Sequence, residues 1–422
     1  MGAVLRAGGI SLRRLADRFG TPLYVYDAER IRRGVDRFAS AFSSVPLLLA
    51  YAVKANGSLA LLNRIGALGA GADIVSLGEL RRVERAGIPA GRVIFSGVGK
   101  TERELEAGLR AGIHAFHAES QAEVDLLSRV AGRLGLPARL GLRLNPDVHS
   151  PTPFAYTRTG HAATKFGIPV REAEALYTAR ADDPNLHFVG VGVHIGSQIA
   201  EVAPYLEALD TVLGVVDRLL EGGIALEYVD LGGGFGVAYE ADGALDLEAL
   251  ATRVVPEIRG RGLRLVLEPG RAIVGEAGLL LARVLYTKRV DAKHFIVTDA
   301  SMTELLRPSH YGAFHRIRPV ERRAGAPTVR ADIVGPVCES GDFLARGRRI
   351  ELPEPGDLLA VETVGAYGFA MASNYNGRPR PAEVLIEGGE AVLVRERESL
   401  EDLMRGETIP PLPGERDVRD KV

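Results

Sequence analysis

Between residues 46 and 270 the chain repeats one alternation eight times. A short β-type apolar run is followed by a stretch with helical spacing, and the next run begins. The runs are "LLLAYAVKAN", "GADIVS", "RVIFSG", "IHAFHAES", "ARLGLRLN", "VGVGVHIGS", "LEYVDLGGG" and "LRLVLEPG". Among the intervening segments, "YLEALDTVLGVVDRLLEGG" is the clearest. It places Leu206, Leu209, Leu213, Val216 and Leu220 on one helical face, with Gly222 as a stop. Eight β-α units in roughly 225 residues predict a parallel (β/α)8 barrel, close to the usual size of that fold. A doubly wound open sheet is the alternative use of the same alternation.

After about residue 275 the helical period fades. "LLLARVLYTKRV", "HFIVTDA", "TVRADIVG", "DLLAVETVG" and "AEVLIEGGEAVLVRE" are separated by turn residues. The reading is α/β plus β: residues 27–275 form the barrel, and residues 1–26 with 276–422 form a second, mostly antiparallel β-sandwich or β-barrel domain. "TPLYVYD" is the early strand that joins it. The ending "GETIPPLPGERDVRDKV" reads as a frayed tail.

A formal net charge of -2 gives no footprint for nucleic acid or for an anionic membrane surface. The opening residues lack an apolar signal core, and "VPLLLAYAV" is too short to span a bilayer. One cysteine, Cys338, rules out an internal disulfide framework, so a cytoplasmic location is expected. Of 52 basic residues only six are lysine, which makes each lysine worth inspecting.

Active sites of (β/α)8 barrels lie at the C-terminal ends of the strands. Here those ends carry Lys54, Ser76, Ser96, Glu119, Asn145, His194, Gly232 to Gly234 and Glu268. Lys54 closes an apolar strand. Burial disfavours an ammonium, so a lowered pKa is expected there, and a neutral amine can form a Schiff base. A lysine that snorkels to solvent is the bland alternative. "DLGGGFG" bares backbone N–H groups after strand seven, and "LEPGRA" adds Gly270 and Arg271 after strand eight. Barrels commonly seat phosphates at these two loops. GxGxxG is absent, so no dinucleotide fingerprint is read. No metal is expected. A lysine, an anion nest and the Glu268 carboxylate on one rim together suit pyridoxal 5′-phosphate: an amine for its aldehyde, a nest for its phosphate and an acid for its ring nitrogen.

Nearly the whole chain resembles the fold-type III pyridoxal-phosphate-dependent decarboxylases. The resemblance rests on "YAVKAN", "GADIVSLGEL", "KFG", "HIGSQ", "LGGGFG", "EPGR", "RPSHY", "VGPVCESGD" and "GAYGFAMASNYNGRPRPAEV", standing in family order. It implies that Lys54 carries the cofactor and that His194 stacks on its ring. Ser197, Gly232, Gly233, Gly234, Gly270 and Arg271 are implied phosphate and cofactor contacts, and Glu268 the acid at the ring nitrogen. Arg307, Tyr311, Glu339 and Tyr367 are implied to hold substrate or cofactor from the second domain, with Arg271 also at the substrate. Cys338 matches a proton-donating cysteine supplied by the partner subunit, which implies a homodimer with shared sites.

The match is to the branch that converts meso-2,6-diaminopimelate to L-lysine and CO2. On that reading Arg307 clamps the distal carboxylate and Glu339 pairs with the distal ammonium. The alternatives are a sister decarboxylase for ornithine, arginine or a carboxypolyamine, and a non-catalytic pyridoxal-phosphate-binding protein. Small departures from the family pattern occur. "HAES" replaces an asparagine-led strand end, and "GVGVHIGSQ" lacks a histidine two positions before His194.

Overall fold

The structure is a computed structural model that describes residues 4–148, 160, 164–240, 243–410 and 412. Eight parallel strands close on themselves: Leu47–Ala52, Gly71–Ile74, Val93–Phe95, Ala115–Ala118, Ala138–Asn145, Leu186–Val193, Tyr228–Asp230 and Arg264–Leu267. Each pairs with its neighbour in chain order except at the ends. There Leu265–Leu267 pair with Leu47–Leu49 and complete the cylinder. The closed barrel, not the open sheet, is therefore what the alternation encodes. The two-residue strand Ile168–Pro169 hangs outside on the fifth barrel strand.

Side chains fill the interior, which holds Leu48, Ala50, Ile94, Ala115, Val189, Tyr228 and Val266. Tyr228 is the largest of them, and glycines make its space. A Cβ at Gly190 would lie 2.3 Å from the Tyr228 ring, and one at Gly141 would lie 2.9 Å from its hydroxyl oxygen. Several of the surrounding helices start on polar caps. Ser76 Oγ accepts from Glu79 N–H at 3.2 Å, Ser120 Oγ accepts from Glu123 N–H at 3.2 Å, and Thr101 and Glu104 form a capping box. Ser76 therefore ends a strand as a helix cap and not as a site residue. The long helix Ala203–Glu221 ends at Gly222, as its spacing predicts.

The second sheet runs Phe343–Glu351, Thr328–Val334, Lys293–Thr298, Gly278–Val290, Leu23–Asp27, Ala382–Glu387, Glu390–Arg395. Strand Leu358–Glu362 also pairs with Gly278–Val290. Pairings are antiparallel apart from Lys293–Thr298 with Thr328–Val334 and Leu23–Asp27 with Ala382–Glu387. The early strand does join this domain, antiparallel to Gly278–Leu281. Strands Phe343–Glu351 and Ile317–Pro319 were not legible in the sequence. Most of the tail read as frayed lies outside the described residues.

The loop 364–367 seats the second domain on the barrel rim. Val364 N–H donates to Gly278 O, Gly365 N–H to Gly275 O, Asn56 Nδ2 to Gly365 O, and Tyr367 N–H to Ala55 O, all within 3.0 Å. A Cβ on Gly365 would lie 1.8 Å from the carbonyl oxygen of Val274, so only glycine fits without moving backbone. Gly365→Ala should lower unfolding stability by roughly 1–3 kcal/mol, the usual cost of overpacking. Gly260→Ala, at a position with nothing within 4 Å, should change it by no more than about 0.5 kcal/mol. Equal denaturant midpoints for the two variants would show that the junction yields.

Candidate active site

A cavity of about 420 Å³ opens at the C-terminal mouth of the barrel, lined among others by Lys54, Ser96, His117, Arg143, Phe166, His194 and Glu268. Lys54 sits in a single helical turn, Val53–Ala55, directly after the first strand. That turn swings its side chain over the mouth. Its Nζ lies 2.9 Å from Oδ2 of Asp73, which projects from the second strand and is fully buried. Burial by itself would lower the Lys54 pKa, as the sequence suggested. The charges of Asp73 and Glu268 outweigh it and hold the ammonium above its ordinary value. The expected depression is thus reversed, because a carboxylate from the adjacent strand faces the amine.

Across the mouth, Glu268 and Asp230 form a buried acidic pair. Burial pushes both carboxyls up from their usual range; the charge of Asp73 adds to this at both, and that of Asp230 adds to it at Glu268. Asp230 Oδ1 accepts from Gly232 N–H at 2.7 Å, while Oδ2 has no hydrogen-bond partner. His117 Nδ1 lies 3.8 Å from Asp230 Oδ2 and 4.0 Å from Glu268 Oε1, and its Nε2 meets the Tyr228 hydroxyl at 2.9 Å. Burial, with Lys100 and Arg143 nearby, lowers His117 to about 3, so this ring is neutral. Ser96 Oγ is 3.5 Å from Glu268 Oε1.

Glu119 is a scaffold. Its Oε1 accepts from Gly97 N–H and Arg143 Nη1, both at 3.1 Å, and its Oε2 accepts from Gly167 N–H at 3.0 Å. Two rim loops and the fifth barrel strand are thereby tied to one carboxylate. Asn145 also serves a loop, donating to Phe166 O at 3.1 Å and accepting from Asp147 N–H at 3.1 Å.

The glycine turn after strand seven packs too closely for side chains. Gly232 has φ +70°, and a Cβ there would lie 2.3 Å from Val193 O. Gly234 has φ +89°, with Gly196 O at 2.2 Å from its Cβ position. Gly233 N–H donates to His194 Nδ1 at 3.0 Å. The imidazole is therefore anchored to the turn with its other nitrogen protonated, and burial holds its pKa well below the ordinary value. Arg271 Nη2 donates to Ser197 Oγ at 3.1 Å, joining the loops after strands six and eight beside the turn. Gly270 packs against Ala52 and Ala55, beside Lys54. Tyr367 lies under Arg271, whose guanidinium carbon is 4.9 Å from the ring centroid.

Arg307 stands at the start of the short helix Arg307–Tyr311, and it is 3% exposed. Tyr311 ends the same helix, its ring edge-on to His310 with centroids 4.5 Å apart. Cys338 and Glu339 are not among the residues lining the Lys54 cavity. Cys338 is exposed, on a loop that Asp342 pins by accepting from Met302 N–H and Val337 N–H, each at 2.8 Å. Sequence reasoning missed Asp73, His117, Arg143, Asp230 and Tyr239. The signal for the first four is a polar residue inside an otherwise apolar barrel strand.

One rim thus offers an amine, an acidic pair facing it, a planar imidazole, a hydroxyl and a guanidinium beside the glycine turn, whose N–H groups are not all bare as the sequence suggested: those of Gly232 and Gly233 are spent on Asp230 and His194. The unpartnered Asp230 oxygen and Arg271 Nε leave donor and acceptor capacity inside it. This donor set fits a phosphorylated aromatic aldehyde.

Residues 28–275 match the profile of the family described as "Pyridoxal-dependent decarboxylase, pyridoxal binding domain". A diaminopimelate decarboxylase from Pseudomonas aeruginosa is 48% identical over 410 residues, covering 97% of this chain and 98% of that protein. The crystal structure of diaminopimelate decarboxylase from Helicobacter pylori complexed with L-lysine superposes with TM-score 0.90 at 39% identity, covering 93% of this chain and 98% of that one. A lysine/ornithine decarboxylase from Vibrio vulnificus, complexed with putrescine, shares the fold alone: TM-score 0.78 at 23% identity, over 89% of this chain and 97% of that one.

With its pKa raised, Lys54 should add to aldehydes slowly near neutrality and faster as pH rises. Asp73→Asn removes the nearest opposing charge, while burial continues to act. The midpoint of the pH–rate curve for borohydride-trapped aldehyde on Lys54 should then move down by about one unit or more. An unchanged or higher midpoint would mean that Asp73 does not set the charge of the amine.

Proposed function

The chain belongs to the pyridoxal-dependent decarboxylase family, in the branch of the diaminopimelate decarboxylases, and from that premise we propose that it converts meso-2,6-diaminopimelate to L-lysine and CO2 with pyridoxal 5′-phosphate as cofactor. The product keeps the L-centre, so the carboxylate lost is the one on the D-carbon. The observation that carries this reading is the rim itself, where Lys54 and its counter-charges Asp73 and Glu268 stand beside the Ser197–Arg271 anion seat.

Lys54 holds the cofactor, and Asp73 Oδ2 is placed to take the proton that Nζ must lose before it can attack. Ser197, Arg271 and the N–H of Gly234 would hold the phosphate, with Gly232, Gly233 and Gly270 giving the backbone its close approach. When bound, the cofactor's protonated ring withdraws the electron pair that departing CO2 leaves behind. Glu268, with Asp230 behind it, would hold a proton at the ring nitrogen, and His194 would cover one ring face. Tyr367 and Tyr311 close the site from the second domain.

The Cys338 thiol delivers a proton to the carbon that has lost CO2. Cys338 and Glu339 are absent from the cavity lining of their own chain, which supports a homodimer in which each chain completes the other's site. We read residues 27–275 as the cofactor domain and residues 1–26 with 276–422 as the domain that supplies these groups. With Cys338 as the one cysteine, we assign the enzyme to a reducing compartment, the cytoplasm; no described helix is long and apolar enough to cross a membrane.

A sister decarboxylase acting on ornithine fits less well. Its substrate offers only an ammonium at the far end, which Arg307 would repel. Diaminopimelate offers a carboxylate for Arg307 and an ammonium for Glu339 of the second subunit. Leaving one protein charge unpaired in a water-poor site costs several kcal/mol. A CO2-release panel should therefore favour meso-diaminopimelate over lysine, ornithine and arginine by roughly a thousandfold or more. Rates for lysine or ornithine within about tenfold would transfer the reading to the sister decarboxylases. No CO2 from any of them would leave a silent binder.

Shared sites make a second prediction. Lys54→Ala and Cys338→Ala homodimers should each be nearly inactive, and subunit exchange between them should restore activity, since a heterodimer carries one site with both native residues. If demonstrated exchange restores nothing, each site is complete within one chain.

A further inference from the structure

Two buried guanidiniums converge on one phenol oxygen. Arg271 Nη1 lies 2.7 Å and Arg307 Nη1 2.9 Å from the hydroxyl oxygen of Tyr239. Among the described residues neither arginine makes an ion pair with an acidic side chain, although Arg271 is 9% and Arg307 3% exposed. Arg271 Nε, also buried, has no hydrogen-bond partner. Buried cations without an anion are costly, so this pair is built to receive one.

Donor and acceptor counting fixes the phenol. Guanidinium nitrogens only donate, so the Tyr239 oxygen accepts both bonds, and both of its lone pairs are used. Its own O–H is then left to donate elsewhere. Arg307 is set by the same arithmetic. His315 Nδ1 lies 3.0 Å from the carbonyl oxygen of Glu362, which only accepts, so Nδ1 carries the proton. Nε2 therefore accepts from Arg307 Nη1 at 2.8 Å. Both hydrogens of that Nη1 are committed, one to Tyr239 and one to His315, and the fork's Nη2 and Nε remain for a ligand. The Tyr239 ring is held edge-on to His315, with centroids 5.3 Å apart and planes at 87°.

We propose that Tyr239 is a substrate-binding residue: its O–H donates to the same distal carboxylate that Arg271 and Arg307 receive, making a three-residue seat. This rests on the diaminopimelate reading above. It adds a neutral donor whose direction the two arginines impose, and it gives His315 the task of positioning Arg307.

The test compares two competitive inhibitors that differ by one group, L-lysine and pentane-1,5-diamine, which lacks the carboxylate. Tyr239→Phe keeps the ring and its contacts. It should weaken L-lysine roughly tenfold to a hundredfold, the worth of one charged hydrogen bond. The diamine, the cofactor content and the visible absorbance should not change. In an Arg307→Ala background the same substitution should again weaken L-lysine, because the phenol touches the carboxylate itself. If the two losses collapse into one, Tyr239 acts only through the guanidinium, and the proposal is overturned. It is also overturned if Tyr239→Phe weakens both inhibitors equally or neither. If Arg307→Ala leaves the lysine-to-diamine ratio unchanged, the distal carboxylate is not seated here, and the substrate reading fails with it.

Discussion

The contact between Lys54 Nζ and Asp73 Oδ2 is the constraint on which the rest of the site depends. Placing an amine at a barrel mouth is simple; holding it there charged and aimed is not. An ammonium at this cavity wall loses part of its hydration, a loss that only a partner offsets. Asp73 supplies the partner from the next strand, fully buried and projecting into the same mouth. The pair fixes where the amine waits and gives its proton a destination. The Asp73 charge also acts on the remaining acids: burial and this carboxylate raise both Glu268 and Asp230, which retain protons more readily than free carboxyls.

The site is consequently polarised. Asp73, Asp230 and Glu268 crowd the barrel mouth, while Arg271 and Arg307 stand together where the second domain meets the rim. Tyr367 marks the boundary, its backbone bonded to Ala55 and its ring under Arg271. A substrate with a reacting amine at one end and a carboxylate at the other fits this division end to end. The loop that seats the domains carries Gly365, so the spacing between the two charged zones is a matter of backbone packing as well as of side chains. The barrel alone holds the acids and the amine. The second domain is what brings Arg307, on its short helix, to the rim.

Much of this was legible because the signals were periodic or local. The eight apolar runs became the eight barrel strands, and Lys54, His194 and Glu268 came to one mouth because strand ends share it. What escaped had physical reasons. Strand Phe343–Glu351 reads "FLARGRRIE" and forms an edge, where arginines are tolerated and apolar alternation is not required. Ser76 and Asn145 end strands as Lys54 does, but one caps a helix and the other holds a loop. The sign of the Lys54 shift was misread because desolvation is visible from an apolar strand, while the opposing carboxylate lies on the neighbouring strand with no local mark. Tyr239 and His315 were invisible for a related reason: their roles come from hydrogen-bond counts across two domains.

A crystal structure of the cofactor-loaded protein with L-lysine would test the central claim most directly. The cofactor should be attached at Lys54, with its phosphate at the Ser197–Arg271 seat and its ring nitrogen at Glu268. The lysine carboxylate should lie between Arg271 and Arg307, and the nearest thiol should be the partner's Cys338. A lysine carboxylate bound away from both arginines, or a thiol from the same chain as Lys54, would contradict it.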